Sequence, residues 1–424
     1  MSITASISTE LITKASASKT ASKALAQLSS EEKNTGLKAI AESLLANKDA
    51  ILAANAIDIE AGRISGMSQA LLDRLTLTEK RIQDMSNGLL DVVKLTDPIG
   101  EIMESFTRPN GLLIEKVRVP LGVIGVIYEA RPNVTIDAAA LALKTGNSII
   151  LRGSSSAINS NKQLVSIVHK ALNTTAVPAD SILLLEESGH EIVNQMMRLN
   201  SHIDVLIPRG GESLIRNVVD NSSVPVIETG MGNCHVYIDK DADYDMAEKI
   251  VLNSKTQRPS VCNATETLLV QEDWAKDHLS QLIKALQGKQ VAINGCPQTT
   301  ALCNDRSIKN AGEEDWAKEY LNLEIAIKIV KDLDEAIAHI DMYSTRHTEA
   351  IITNNADHAR KFQLQVDAAS VNHNASTRFT DGSEFGFGAE IGISTQKLHG
   401  RGPLGLREIT SYKYLVHGTG QIRE

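Results

Sequence analysis

The feature that most restricts the fold of this chain is a regular alternation of short apolar runs with helix-like segments between residues 123 and 230. The apolar runs, which are separated by Ala-rich or amphipathic stretches, read VIGVIY, SIILRGS, SILLLE, IDVLIP and VPVIETG. Strands that alternate with helices in this way are typical of βαβ units and of a mostly parallel sheet. Because βαβ crossovers have one hand, ligands of such folds bind at the carboxyl ends of the strands. We therefore expect an α/β protein with its site along that edge.

The segments on either side of this region differ in their residue patterns. Residues 1–104 are rich in Ala, Leu, Glu and Lys and predict helices, one of which begins with a capping box at Ser29. Residues 107–120 are β-rich, and residues 230–405 repeat the α/β pattern less regularly. The run 412–416 predicts a final edge strand, which is able to pair within the chain or with a partner subunit.

The composition argues against several classes of function. A net charge of −9 and an aromatic content of 3% disfavour a nucleic-acid-binding surface. The four cysteines form no CxxC pair and do not alternate with His at metal-ligand spacing, so we expect no metal site. Four cysteines are also too few for a disulfide framework, which indicates a reducing, cytoplasmic compartment. No apolar run approaches the ~18 residues of a membrane span, and we expect no membrane association.

One cysteine, Cys262, stands in the polar run NSKTQRPSVCNATET, directly before an apolar strand-like segment. Most cysteines are small buried hydrophobes without a chemical role, and from this residue alone that interpretation stays open. A thiol in a polar loop is also what a nucleophile requires, provided that a nearby dipole or cation lowers its pKa.

Two turns between a strand and a helix suit a bound nucleotide. Gly210 and Gly211, in IPRGGES, let the main chain approach an anion at a helix N-terminus, although a tight turn without a ligand is the alternative. Arg152 and Gly153, in ILRGSSSA, end a strand; the arginine either binds the 2′-phosphate of NADP or is a solvated surface charge. GRGPLG at 400–405 matches GxGxxG but follows no strand, so we reject it as a dinucleotide motif.

Two further polar residues follow predicted strands. Asn133 begins a helix, either as its N-cap or as an amide that donates to a developing oxyanion. Glu228 ends VPVIETG, where a carboxylate is able to act in acid–base catalysis or is simply exposed. A thiol, an amide, a carboxylate and two nucleotide-type turns in one α/β chain imply thioester chemistry coupled to hydride transfer.

The order of these segments resembles the aldehyde dehydrogenase superfamily and, within it, the γ-glutamyl phosphate reductases. The matching segments are PLGVIGVIYEARPNVTIDAAALALKTGNSIILRGSSSA, LIPRGGESLI, VPVIETGMGNCHVYID, SVCNATETLLV and EFGFGAEIGISTQKLHGRGPLGL. The resemblance implies a Rossmann-type cofactor domain, a second α/β catalytic domain and a small β oligomerisation element. We place the cofactor-binding domain in 1–106 and 121–229, the catalytic domain in 230–405, and the β element in 107–120 and 406–424.

The resemblance implies catalytic roles for three of the residues. Cys262 falls at the position of the nucleophile, and Asn133 matches the amide that stabilises the oxyanion. Glu228 matches the carboxylate that activates water in hydrolytic members, but ETGMGN replaces the Gly-Gly-Lys that follows it there. An enzyme that exchanges its acyl group with phosphate does not need to activate water, so a catalytic role for Glu228 does not follow directly.

The resemblance also implies a nicotinamide cofactor, NADPH or NADP. Arg152 and Gly153 replace a Lys-Pro pair that contacts the adenosine ribose in the superfamily. Gly210 and Gly211 match the loop near the pyrophosphate. Glu319 falls at the glutamate that binds the nicotinamide ribose, although EYLNLEI departs from the usual motif.

The implied reaction is the NADPH-dependent reduction of L-glutamyl 5-phosphate to L-glutamate 5-semialdehyde and phosphate, through a cysteine thioester, in L-proline biosynthesis. Arg131 and Arg258 flank the two catalytic segments and are candidates to pair with the anionic groups of this small-molecule substrate. The implied partners are further copies of the chain and the glutamate kinase that makes the unstable acyl phosphate.

Three other functions stay open. A hydrolytic aldehyde dehydrogenase would require Glu228 as a base and be indifferent to phosphate. A coenzyme-A-acylating relative would respond to coenzyme A. A catalytically silent nucleotide-binding or interaction protein would show no thiol-dependent turnover.

Overall fold

The structure, a computed structural model, describes residues 7–187 and 189–423. The chain forms two compact units. The first contains the residues up to Thr229, Gly386–Gly392 and the segment from Leu404, and the second contains Gly230–Phe385 and Ile393–Pro403. Gly386–Gly392 and the segment 404–405, which we assigned to the catalytic domain, thus group with the first unit. The reason is that Ile391 and Leu404 belong to the apolar core of that unit.

The first unit begins with helices and continues as α/β structure. Its leading helices are α1 (Thr9–Leu25), α2 (Ser30–Ala46), α3 (Lys48–Ile64), α4 (Gln69–Leu75) and α5 (Glu79–Lys94). The elements after them are β1 (Ile102–Thr107), β2 (Leu113–Pro120), β3 (Val123–Tyr128), α6 (Pro132–Lys144), β4 (Ser148–Arg152), α7 (Ile158–Leu172), β5 (Ile182–Leu184), α8 (His190–Met196), β6 (Val205–Arg209) and α9 (Glu212–Asn221). The predicted capping box is confirmed, because the Ser29 side chain accepts the N–H of Glu32 and the Glu32 carboxylate accepts that of Ser29.

A parallel sheet with the strand order β5-β4-β3-β6 lies at the centre of this unit. Alternate residues of β3 enter two different apolar clusters: Val123 and Ile127 join one, and Ile124 and Val126 join the other. Both faces of the strand are therefore covered, which explains why VIGVIY is apolar throughout.

The prediction of a strand at VPVIETG is wrong. Val226 makes only an isolated parallel bridge to Leu206, and the chain beyond it is irregular. Pro225 accepts the N–H of Leu206 through its carbonyl, but it has no N–H of its own with which to extend the ladder. Glu228 consequently lies in irregular chain rather than at the end of a strand.

The second unit is built on a parallel sheet with the order β10-β9-β11-β8-β7-β12-β13. Its elements are β7 (Cys234–Ile238), α10 (Tyr244–Thr256), β8 (Thr265–Gln271), α11 (Glu272–Gly288), β9 (Ala292–Gly295), α12 (Pro297–Cys303), β10 (Lys309–Asn310), α13 (Glu313–Trp316), β11 (Glu324–Val330), α14 (Leu333–Tyr343), β12 (Thr348–Ile352), α15 (Ala356–Gln365) and β13 (Ser370–His373). The short strands β14 (Ile393–Ser394) and β15 (Gly402–Pro403) pair as a separate antiparallel hairpin.

The final strand, β16 (Thr410–His417), joins β1 and β2 in an antiparallel sheet with the order β1-β2-β16. The predicted terminal edge strand is thus confirmed. The predicted start of this element at residue 107 is wrong, because β1 begins at Ile102 and the Pro-Asn-Gly turn that follows it joins two strands of the sheet. Among the described residues, no helix is long and apolar enough to cross a membrane.

Candidate active site

Cys262 lies in the loop between α10 and β8, and its side chain is half-buried. The next residue, Asn263, is fixed by two hydrogen bonds, one from its side chain and one to its main-chain carbonyl. The Asn263 amide donates to the carbonyl of Thr380 at 2.9 Å, and the Thr377 hydroxyl donates to the carbonyl of Asn263 at 2.6 Å. The thiol is therefore carried on a fixed main chain, as precise positioning of a nucleophile requires.

The carbonyl group of Cys262 packs against Gly232, in the glycine-rich segment before β7. A Cβ at Gly232 would lie 1.3 Å from the Cys262 carbonyl oxygen and 2.8 Å from its Cα, so only glycine fits. The buried Cys234 thiol donates to the same carbonyl, with 3.2 Å between sulfur and oxygen. Burial raises the pKa of Cys234 well above its usual range, so this thiol stays protonated and remains a donor.

Glu319 lies in the same unit and connects to this arrangement. Its Oε1 accepts the N–H of Gly232 at 2.8 Å. The structure thus brings Glu319 and Cys262 together through Gly232. In the structure this carboxylate fixes the main chain at Gly232, which packs against the loop that carries Cys262. The predicted role of Glu319, binding of the nicotinamide ribose, did not include this contact.

The charge of Arg378, a residue that the sequence did not reveal as part of the site, interacts with that of Cys262. Burial lowers the pKa of this half-buried guanidinium, while the charges of Asp381 and Cys262 raise it. An arginine that interacts with Cys262 favours the thiolate form. Arg258, predicted to bind substrate, is exposed and lies near enough to Arg378 for the two cations to repel each other.

The elements on either side of the Cys262 loop are joined by a buried ion pair. Lys255, on α10, contacts Glu266, on β8, and both side chains are fully buried. The Leu321 N–H donates to the other oxygen of Glu266 at 3.2 Å. Burial raises the pKa of Glu266 and lowers that of Lys255, and each charge opposes the shift of the other. This pair fixes the two ends of the segment that carries the thiol.

In the first unit, Asn133 is the second residue of α6, and the N-cap is Arg131. The interpretation of Asn133 as an N-cap is therefore wrong. Its side-chain N–H donates to Oδ2 of Asp137, one turn later, at 2.9 Å. Burial raises the pKa of Asp137 to about 6, while this hydrogen bond and the charge of Arg209 lower it. The amide is thus oriented by a carboxyl group.

Arg152 ends β4 and is buried, so its interpretation as a solvated surface charge is wrong. It donates to the carbonyls of Gly153 and Gly189, but its Nε is buried and has no hydrogen-bond partner among the described residues. A Cβ at Gly153 would lie 2.3 Å from Nδ2 of Asn161. A buried donor without a partner beside a glycine-only turn is suited to a bound oxyanion.

Gly210 and Gly211 connect β6 to α9, as predicted. A Cβ at Gly210 would lie 2.8 Å from the carboxyl carbon of Glu129. The Gly211 N–H donates to Oε1 of Glu129 at 3.0 Å, so a carboxylate already accepts at the N-terminus of α9. Glu129 thus occupies the main-chain donor of this turn, and a phosphate oxygen would have to displace its carboxylate to bind there.

Comparison with known proteins identifies the family. The aldehyde dehydrogenase family model matches residues 2–311. The chain belongs to the aldehyde dehydrogenase family. It is 58% identical over 416 residues to the γ-glutamyl phosphate reductase of Halalkalibacterium halodurans, covering 98% of this chain and 100% of that protein. With the enzyme of the same name from Clostridium beijerinckii it shares 56% identity over 414 residues, covering 98% and 100%.

Solved structures give the same result for the fold of this aldehyde dehydrogenase. The crystal structure of the γ-glutamyl phosphate reductase from Thermotoga maritima matches with a TM-score of 0.95 and 49% identity, covering 98% of this chain and 100% of that one. An acetylating aldehyde dehydrogenase from Geobacillus thermoglucosidasius matches with a TM-score of 0.70 at 17% identity, covering 98% of each chain, which shows a shared fold.

As a member of this family the protein is an oxidoreductase, and the family implies a nicotinamide cofactor. The residues present fit such a group, because the unpartnered Nε of Arg152 and the turns at Gly153 and Gly210 stand at the carboxyl ends of parallel strands. Glu228 and Arg131 lie in the first unit with these residues.

Proposed function

We propose that this protein reduces L-glutamyl 5-phosphate to L-glutamate 5-semialdehyde, releasing phosphate, with NADPH as reductant, in L-proline biosynthesis. The observation that carries the proposal is the half-buried Cys262 thiol, which lies on a fixed loop and interacts electrostatically with Arg378, in a chain whose near-full-length relatives are named γ-glutamyl phosphate reductase. An acyl phosphate is activated for attack by a thiolate.

In this mechanism the Cys262 thiolate attacks the acyl carbon, the sulfur–carbon bond forms, and the bond from carbon to the phosphate oxygen breaks. Phosphate leaves with the electron pair, and the acyl group remains as a thioester. Charge develops on the acyl oxygen, and we assign the Asn133 amide, oriented by Asp137, and a main-chain N–H near Cys262 to stabilise it. Phosphate, rather than water, takes the acyl group in the reverse direction, so Glu228 need not act as a base.

The cofactor, when bound, would supply the hydride to the acyl carbon. The carbon–sulfur bond then breaks, Cys262 leaves with the electron pair as a thiolate, and the aldehyde is released. Arg152 and Gly153 would hold the adenosine end, with the Arg152 Nε on the 2′-phosphate of NADPH. Gly210 and Gly211 would hold the pyrophosphate through the main chain at the start of α9, once the Glu129 carboxylate moves off the Gly211 N–H. Glu319, through its contact with Gly232, keeps the Cys262 loop in place.

We also propose that copies of the chain assemble through the sheet of β1, β2 and β16. Its two outer strands expose several large apolar side chains, Ile102, Met103, Phe106, Tyr412, Tyr414 and Val416. Exposed strand edges with apolar side chains favour pairing with another chain.

We further propose functional coupling to the glutamate kinase that makes the acyl phosphate. Such coupling would protect the unstable acyl phosphate from hydrolysis before it reaches Cys262.

The first experiment measures NADP⁺ reduction by glutamate 5-semialdehyde, with and without inorganic phosphate, and with coenzyme A in a third arm. We expect strict dependence on phosphate and complete loss of activity in Cys262→Ala. Equal rates without phosphate would identify a hydrolytic dehydrogenase that uses Glu228 as a base. A requirement for coenzyme A would identify an acylating dehydrogenase, and full activity of Cys262→Ala would end the thioester mechanism.

A further inference from the structure

The first unit contains a cavity of about 510 Å³ that the mechanism described above does not use. Its walls come from three parts of this unit: the start of α2, the chain between α5 and β1, and the last residue of α6. None of its described lining residues has been assigned to catalysis or to the cofactor. A cavity of this volume is within the range of pockets that bind small organic molecules.

The cavity lies at the edge of the parallel sheet opposite to the nucleotide-type turns. The helix α6 begins at Pro132, after the carboxyl end of β3, and ends at Lys144, before β4 begins at Ser148. Lys144, which lines the cavity, therefore stands at the amino ends of the strands. The turns at Gly153 and Gly210 follow carboxyl ends instead. A ligand in the cavity would thus occupy a site separate from that of the cofactor.

Two buried lysines line the cavity. Lys33 is 2% exposed and Lys144 is 1% exposed. The Lys33 ammonium contacts the Asp97 carboxylate. The Lys144 Nζ donates to Oδ1 of Asn34 at 2.7 Å and to the carbonyl of Val93 at 3.1 Å. An ammonium has three N–H groups, so within the described part of the chain each lysine keeps at least one donor for a ligand.

The charges around the cavity favour an anion. Lys33 and Lys144 face a single lining carboxylate, that of Asp97. Burial lowers the pKa of Lys144, Asp97 raises it, Lys33 lowers it, and Glu31 raises it. Glu31 is 77% exposed and lies 3.8 Å from Lys38, so solvent and this second cation weaken its effect. A buried positive charge therefore remains for which a bound anion would compensate.

The remaining part of the wall includes apolar side chains. Leu28, Leu95 and Ile99 line the cavity and are half-buried. The first two also pack against the apolar core of the unit, which fixes their positions. An apolar surface next to two cations suits a ligand that has both an anionic group and a hydrocarbon part.

We propose that this cavity binds a small organic anion. Its carboxylate or phosphate group contacts the two buried lysines, and its hydrocarbon part lies against the three apolar side chains. The inference does not depend on the reaction proposed above, because it rests on residues outside the catalytic and cofactor sites.

Isothermal titration of the full chain tests the class of ligand. The probes are acetate, butyrate, hexanoate and butyl phosphate. We expect affinity to rise by about fourfold for each methylene that enters the cavity, as burial of apolar surface requires. Butyrate and butyl phosphate carry similar hydrocarbon parts, so the tighter of the two identifies the preferred anionic group. Equal affinities for acetate and hexanoate, or no binding of any probe, would overturn the proposal.

Three variants place the bound anion in this cavity. Lys144→Gln removes one cation but keeps an amide donor, and Ser30→Trp obstructs the cavity from an exposed lining position. Lys38→Gln is the matched control, because it removes an exposed cation of the same helix. We expect the first two to weaken binding of the best probe by about tenfold or more, and the control to bind like wild type.

The Tm of each ligand-free variant shows whether it is folded. Ser30→Trp removes no buried group, so it decides the outcome alone if Lys144→Gln does not fold. Binding that is unchanged in Ser30→Trp, or weakened equally in Lys38→Gln, would show that the anion binds elsewhere and would refute the site.

Discussion

Gly232 lies so close to the carbonyl group of Cys262 that a Cβ at 232 would fall 1.3 Å from that oxygen. Both groups are main chain, so no side-chain rotation relieves the clash, and Gly232→Ala must move the loop that carries the thiol. A displacement of about 1 Å typically costs about 100-fold in rate, and we expect a loss of kcat of that order. Steady-state kinetics measure the loss of kcat, and the rate of iodoacetamide labelling of Cys262 reports whether the thiol has moved.

The matched control for Gly232→Ala is Gly88→Ala. Gly88 lies inside α5, and a Cβ there would meet no described atom within 4 Å apart from the nearby main chain of its own helix. The control should keep full activity and gain about 0.5–1 kcal/mol of stability, because alanine favours helices. Wild-type kinetics in Gly232→Ala would mean that the loop tolerates displacement.

The Asn133–Asp137 contact predicts a dependence on pH. Asp137 accepts the amide N–H at 2.9 Å, and burial raises its pKa to about 6. As the pH falls through this value the carboxyl group gains a proton, can donate to the amide instead, and no longer fixes its orientation. We expect kcat of wild type to decline below about pH 6, and Asp137→Asn, which keeps an acceptor but does not titrate, to lose this decline.

A double-mutant cycle tests whether Asp137 acts through Asn133. Removing one oxyanion donor costs about 3 kcal/mol, so Asn133→Ala should lower kcat by two to three decades. Asp137→Ala should lower kcat as well, and the double variant should be no slower than Asn133→Ala. Additive losses would show that the two residues act independently.

Arg378 is expected to favour the thiolate of Cys262, because the two charges interact. Arg378→Gln removes the cation, so deprotonation of the thiol becomes harder. The midpoint of the pH–rate profile for alkylation should move up by about one pH unit. Lys289→Gln removes an exposed cation elsewhere in the second unit and should leave the midpoint unchanged. Identical profiles for all three proteins would remove Arg378 from thiol activation.

The elements of the two parallel sheets were largely predictable, and the contacts of the candidate site were not. Strands such as β3 are apolar throughout because both faces are covered, and the glycine turn after β6 stands between recognisable elements. β1 was missed because all six of its residues are exposed and have no core-facing pattern. Arg378 and Glu319 reach the Cys262 region through tertiary contacts between distant segments, which have no local signal.

The preference for NADPH is tested at Arg152. Its buried, unpartnered Nε is assigned to the 2′-phosphate, which NADH lacks. Loss of a hydrogen bond to a charged group costs about 1.5–3 kcal/mol, so Arg152→Ala should raise the KM for NADPH by about 10- to 100-fold. The KM for NADH should change little. Equal rises for both cofactors would indicate a role in folding of the turn rather than in phosphate recognition.

The buried pair of Lys255 and Glu266 predicts a large loss of stability when one partner is removed. Lys255→Met leaves the Glu266 carboxylate buried without its cation, which typically costs about 3–5 kcal/mol. Adding Glu266→Gln removes the unpaired charge and keeps an oxygen for the Leu321 N–H, so the double variant should recover part of that loss. Denaturant unfolding measures both differences. The pair joins α10 to β8 on either side of Cys262. The alkylation rate of the thiol should therefore differ most from wild type in Lys255→Met and less in the double variant. A single variant as stable as wild type would mean that water reaches Glu266.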